Sequence, residues 1–227
     1  MKRRTVKRKK RILNLKKVFF CFVFLFLFGT AIKRIITMPI KNIYIYNNQL
    51  LTDQEIIEIA KLDKYPSTLK NFSFLIKSRL ESNQYIKQVQ VSKKNFVEVH
   101  IKVKENYPIF INRISNKTVL LDGREVGETF AVPTLINIVP DTKYNLLIDK
   151  MRLVDRDILF RISEIEYSPN EVEGNRFLLY MNDGNYVYIT LDKFSNINSY
   201  VDIIKNFENK KGILHLDYGN HFTIIDN

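Results

Sequence analysis

From residue 40 onward the hydrophobic positions change period several times. Residues 40–46 alternate as a strand does, with Ile43 and Ile45 on one face. Asn47-Asn48 ends the run, since Asn tolerates positive φ. Thr52 and Glu55 then have capping-box spacing, with Leu51 and Ile56 at the staple positions and Ile56, Ile59 and Ala60 as the buried stripe. Phe72, Leu75, Ile76, Arg79 and Leu80 recur at helical spacing and predict a second helix over 72–82. Residues 84–92 read as a strand around Val89 and Val91. Residues 96–104 alternate most clearly, with Val97, Val99, Ile101 and Val103 facing in and Glu98, His100, Lys102 and Lys104 facing water; Pro108 closes the run. The predicted order is strand, helix, helix, strand, strand.

Past residue 110 the pattern turns to hairpins. One centres on Asp122-Gly123 and a stronger one on Asp183-Gly184, each between alternating strands. Residues 149–163 predict a helix with Val154, Ile158, Leu159 and Ile162 inward. Residues 194–207 predict another, with Phe194, Ile197, Val201 and Ile204 on one face. Two short apolar runs around Gly219-Asn220 finish the chain. The fold class expected is α+β: one membrane helix, a β-α-α-β-β unit, then a mixed β-domain with flanking helices.

The N-terminal pattern is different. Residues 18–32 are apolar without interruption, Lys33 and Arg34 intervene, and Ile35-Ile36 resumes. About 20 residues cross ~30 Å of hydrocarbon. Long basic side chains lay their stems along acyl chains and keep their charges at the interface, so residues 18–36 suffice as a span. Gly29-Thr30-Ala31 offers small residues at signal-cleavage spacing, but the charges straight after it and the resumed Ile pair favour an uncleaved anchor.

Charge sharpens this. Twelve of the 36 Lys and Arg precede Met38, with no Asp or Glu among them; the rest of the chain carries 24 basic against 24 acidic residues. The whole net charge of +12 therefore belongs to the membrane end. Ten cations before the span against Lys33, Arg34 and Lys41 after it place the N-terminus in the cytoplasm and the C-terminus outside. Such a segment is drawn to anionic lipid by roughly 1 kcal/mol per charge. With no aromatic residue interleaved it has no platform for stacking bases, and no nucleic-acid partner is expected. The single Cys21 lies inside the span, so the outer part holds together without disulfides.

Candidate chemistry is sparse. No HExxH, Gly-x-Ser-x-Gly or phosphate-binding Gly loop occurs. Glu98 with Glu105, and Glu164 with Glu166, read as solvated charges. The His215, Asp217 and His221 group is the first place a site would be sought. No enzyme, cofactor or metal site is expected.

Three segments carry a resemblance: IYIYNNQLLTDQEI at the first strand, YIKQVQV at the second, and VHIKVKENYP, where Glu105 is followed three residues later by Pro108. They resemble the polypeptide-transport-associated (POTRA) domain and, more narrowly, the bacterial cell-division family FtsQ/DivIB. KGILHLDYGNHFTII is similar to that family's closing stretch. Departures are Asn47 where Gly is usual, Gln84 where Pro is common, and no Pro-x-Thr before the strand near Phe96. The resemblance implies a basic tail (1–17), a span (18–37), a POTRA-like domain (38–109) and a β-domain (110–227). It implies a non-enzymatic scaffold at the septum that bridges FtsL-like and FtsB/DivIC-like bitopic proteins and acts indirectly on the septal peptidoglycan synthase complex. The partner edge it implies comprises Tyr218, Gly219, Asn220, Phe222 and Ile224. The POTRA-like unit, whose first strand carries Ile43, Ile45 and Tyr46 next to the membrane, is expected to help recruitment. The residues alone leave open an envelope sensor or assembly module with other partners.

Overall fold

The computed structural model describes residues 15–207 and 210–225. The basic residues Lys2 to Arg11 of the tail lie outside the described residues; Lys16 and Lys17 open the first helix. That helix, α1 (Leu15–Ile36), has no buried residue and is long and apolar enough to cross a membrane. The chain divides into two compact units, and α1 belongs to the first. The first takes in residues up to Asn83 together with Gln88–Val103; the second takes in Gln84–Lys87 and Lys104–Asn227.

In the first unit β1 (Asn42–Tyr46) precedes α2 (Asp53–Ile59) and α3 (Ser73–Glu81). The strands β2 (Ile86–Lys94) and β3 (Glu98–Glu105) follow, giving the sheet order β1-β3-β2 with β1 parallel to β3. The capping box forms: Thr52 Oγ1 accepts from the Glu55 N–H at 3.3 Å, and Glu55 Oε2 accepts from the Thr52 N–H at 2.7 Å. These bonds hold the Glu55 carboxyl below its ordinary range. Ile56, Ala60, Ile76, Leu80, Val99 and Ile101 are fully buried between helices and sheet. Arg79 ties the helices together, donating to the Ala60 carbonyl and to Asn71 Oδ1, each at 2.9 Å.

Several expectations are corrected here. Phe72 caps α3 from outside and is exposed, its ring stacked on Phe74. Phe96 lies in the β2–β3 turn rather than in the strand. His100 does lie on the outer face, but it is packed between Tyr44 and Tyr46, with ring centroids at 4.7 and 6.0 Å. Glu105 is buried rather than solvated.

The second unit contains a mixed sheet of nine strands among the described residues, in the order β12-β11-β10-β9-β8-β7-β4-β5-β6. Its strands are β4 (Pro108–Asn112), β5 (Lys117–Leu120), β6 (Glu125–Val126), β7 (Thr134–Leu135), β8 (Ile162–Tyr167), β9 (Arg176–Met181), β10 (Tyr186–Thr190), β11 (Gly212–His215) and β12 (His221–Ile224). Both expected Asp-Gly hairpins are present, β5–β6 and β9–β10, with Gly123 and Gly184 at φ +89° and +86°.

The helix expected over 149–163 is three elements. They are α4 (Asp141–Met151), α5 (Arg156–Leu159) and the start of β8, although Val154, Ile158, Leu159 and Ile162 are all buried as expected. The helix expected over 194–207 is mostly 3-10: Leu191–Ser199, then α6 (Tyr200–Ile204), then Lys205–Phe207. A 3-10 helix repeats every three residues, so Leu191, Phe194, Ile197 and Tyr200 are buried in register. Val201, inward at α spacing, is exposed instead.

Candidate partner-binding edge

β12 is the terminal strand of the large sheet, pairing antiparallel with β11 at Gly212↔Ile224, Leu214↔Phe222 and His215↔His221. The Ile225 N–H donates to the Lys211 carbonyl at 3.0 Å. Antiparallel ladders alternate bonded and non-bonded pairs. The bonded pairs are therefore 213/223 and 215/221, and the N–H and C=O groups of Phe222 and Ile224 point away from β11. An edge presenting such groups is a template for another strand.

The five sequence-predicted residues all fall on this hairpin but do different things. Gly219 supplies the turn at φ +81°, a conformation that strains other side chains. Tyr218 is 76% exposed, its N–H donating to Asp217 Oδ1 at 2.9 Å. Asn220 is exposed at the tip. Phe222 and Ile224 share one face, being two residues apart. Phe222 is half-buried, with its ring centroid 4.4 Å from that of Phe207, whereas Ile224 is 43% exposed.

The opposite face carries a ladder of planar groups that sequence reasoning missed. The Arg176 guanidinium lies 3.5 Å over the Tyr188 ring, Tyr188 stacks with His215 at 5.7 Å, and His215 stacks with His221 at 4.4 Å and 8°. Four successive strands, β9 to β12, contribute one group each. Arg176 Nε donates to Asp217 Oδ2 at 2.7 Å, and His215 Nδ1 stands 3.6 Å from Asp217 Oδ1. Burial alone would raise the Asp217 carboxyl, but the Arg176 bond and the Tyr218 N–H hold it below its ordinary value. Burial pushes the His215 pKa down from 6.5; neighbouring His221 and Arg176 add to this, while Asp217 opposes it. The His215, Asp217 and His221 group thus packs and orients the hairpin. No group of three or more His, Cys, Asp or Glu able to hold a metal occurs among the described residues.

Two further residues position the edge. The buried Asn185 accepts the Gly212 N–H on Oδ1 at 2.9 Å and donates from Nδ2 to the Tyr200 hydroxyl at 3.0 Å. Gly212 leaves room for β12: a Cβ there would run into the Thr223 carbonyl oxygen and the Phe222 ring. Glycine before an apolar run was the visible signal for Gly212. Asn185 gave none, because its partner is 27 residues away.

Comparison with known proteins fits this architecture. Residues 38–106 match the POTRA domain, FtsQ-type. The chain is 25% identical over 231 residues to the cell division protein DivIB of Bacillus subtilis, covering 96% of this chain and 85% of that protein. It is 26% identical over 230 residues to DivIB of Bacillus anthracis, covering 96% and 86%. With DivIB of Geobacillus kaustophilus it shares 24% over 231 residues, covering 97% and 87%. Among solved structures, the major extracytoplasmic domain of DivIB from Geobacillus stearothermophilus, in its trans isomer, aligns at TM-score 0.38 and 23% identity, over 44% of this chain and 92% of that one. The chain thus carries a POTRA domain of the FtsQ type at residues 38–106 and is similar to DivIB cell division proteins over almost its whole length.

Proposed function

We propose that the chain works in the divisome as a binding scaffold rather than a catalyst. It is anchored by α1 with its N-terminus in the cytoplasm and its outer units beyond the membrane. It is concentrated at the septum. In this reading β12 takes up a strand from an FtsL-like or FtsB/DivIC-like bitopic protein, and the assembly helps control the septal peptidoglycan synthase. The working division is a tail at 1–17, a span at 18–37, a POTRA-like domain at 38–109 and a partner-binding domain at 110–227.

The observation that carries this reading is the outward row of backbone groups at Phe222 and Ile224. Main-chain bonds supply affinity in strand addition, and flanking side chains supply selectivity. Ile224, Tyr218 and Asn220 are the exposed flanks. A span confines both partners to two dimensions, raising their effective concentration.

The test is capture of the extracytoplasmic segments of the two partner types by the full-length protein in detergent. Ile224→Pro removes an outward donor and no bond to β11, and Tyr218→Ala removes an exposed ring. Each is expected to weaken capture by tenfold or more while the melting temperature stays put. Unchanged capture in both variants would sink the edge assignment. A fluorescent fusion at the N-terminus checks position: a band at the division plane is expected, whereas an even membrane signal points to an envelope sensor or assembly module.

A further inference from the structure

A cavity of about 390 Å³ lies in the first unit against the end of α1. Ile35 and Met38 line it from the end of the helix, Leu69 from the loop after α2, and Phe96 and Val97 from the β2–β3 turn. The walls are mostly apolar, with Thr68 and Asn95 as the polar lining residues. Thr68 is 3% exposed and its Oγ1 has no hydrogen-bond partner. The chain is pinned here by the Thr68 N–H donating to the Met38 carbonyl at 2.9 Å and by Ser67 Oγ donating to the Ile36 carbonyl.

Two further observations bear on what fills this space. The turn presents Phe96 at φ +60° directly after Asn95 at φ +50°, and Phe96 is 75% exposed. Glycine is the residue that such a turn favours. A phenylalanine held there in a strained conformation and facing out is a common mark of a contact surface. The second observation is charge. The segments that build the cavity, residues 33–41, 64–71 and 91–97, hold seven Lys and Arg and no Asp or Glu, whereas the chain from Met38 onward as a whole carries equal numbers of basic and acidic residues.

We propose that this cavity is a lipid site: it takes an acyl chain of an anionic phospholipid from the membrane that α1 spans, with the headgroup among the surrounding cations. Depth selects the occupant. Ile35 directly follows Lys33 and Arg34, and Met38 comes four residues after Arg34; basic side chains there reach for the headgroups, so whatever fills the cavity lies at the interface. Anionic headgroups are drawn to clustered Lys and Arg. The Thr68 hydroxyl finds a partner in a glycerol ester, and Phe96 inserts beside the chain as interfacial aromatic residues do. The first unit is thereby held against the bilayer at the foot of the span.

The protein contains no tryptophan, so Phe96→Trp makes a single reporter. The full-length variant would be placed in nanodiscs of phosphatidylcholine alone or with phosphatidylglycerol, with and without brominated acyl chains. Blue-shifted emission and at least twofold quenching by brominated chains are expected, stronger with phosphatidylglycerol. Solvent-like emission without quenching in either lipid overturns the site. Equal quenching in both lipids overturns its anionic preference. Phe96→Gly relaxes the turn and removes the ring. It should fold no less stably yet carry at least fivefold less phosphatidylglycerol through purification; undiminished lipid would overturn the role of Phe96.

Discussion

Asn185 joins three parts of the second unit through one buried amide. Its Nδ2 reaches the Tyr200 hydroxyl and Asp183 Oδ1, and its Oδ1 holds the Gly212 N–H at the start of β11. Burial, and then the hydrogen bond to Asp183, raise the Tyr200 hydroxyl well above its usual pKa, so that group remains a donor to the Asp183 carboxylate. Leaving a buried donor unpaired costs roughly 1–3 kcal/mol. Asn185→Ala is therefore expected to destabilise the second unit by about 2 kcal/mol in a denaturant titration, with faster amide exchange concentrated in β11 and β12. Unchanged exchange there would show that the amide is not what fixes the edge. Single residues were legible in the sequence wherever their effect is local. Thr52 and Glu55 cap within one turn, and Asn47 takes φ +65° where the resemblance has glycine. Asn185 was opaque because its bonds to Tyr200 and Gly212, 15 and 27 residues away, are set by packing.

Among the elements, the hairpins were legible because a turn glycine and two-residue alternation are short-range signals. The segment from Leu191 was not: apolar residues at 191, 194, 197, 200, 201 and 204 fit both three- and four-residue spacing. Packing against Phe177 and the sheet decides for the tighter helix, with Phe194 edge-on to Phe177 at 6.4 Å. The planar ladder likewise forms only when strands far apart in sequence are paired. Its pH response follows from His215. Because the folded protein depresses this pKa below 6.5, the unfolded chain binds more protons in the window beneath that value. The contribution is full above about pH 6.5 and is lost as pH falls through the folded pKa. The β11–β12 hairpin should therefore loosen as pH falls below about 6.5, read as rising amide exchange at residues 212–224. His221→Phe keeps a stacking ring and removes the second charge, so it should blunt the transition. An undiminished transition in that variant would mean the stacked pair is not its source.

At the scale of the molecule, sequence order concealed how the second unit is closed. The two-residue strand β7 bridges β4 and β8 in parallel, too short to leave a periodic signal. Residues 84–87 also belong to the second unit although they precede β3. Asn106 shows what this requires. It is fully buried, and its N–H donates to the Tyr85 carbonyl at 2.8 Å and its Nδ2 to the Gln84 carbonyl at 2.9 Å. Its Oδ1 accepts from the Asp122 N–H at 3.0 Å, while Arg124 Nη2 adds a bond to Gln84 at 3.1 Å. Removing residues 39–108 to test recruitment therefore strips the β5–β6 turn of its supports, so any change of localisation in that deletion reports damaged folding as well as a missing unit. A fragment of residues 109–227 is expected to melt at least 5 °C below the same unit in the full outer region, since two or three buried bonds are lost at about 1 kcal/mol each and each kcal/mol shifts a domain of this size by roughly 4 °C. Asn106→Ala in the full-length chain should reproduce part of that drop, with exchange rising first around residues 120–124. A fragment that melts where the intact unit does would show that residues 84–87 and 104–108 are dispensable to it, and the deletion would then become a clean test of the first unit alone.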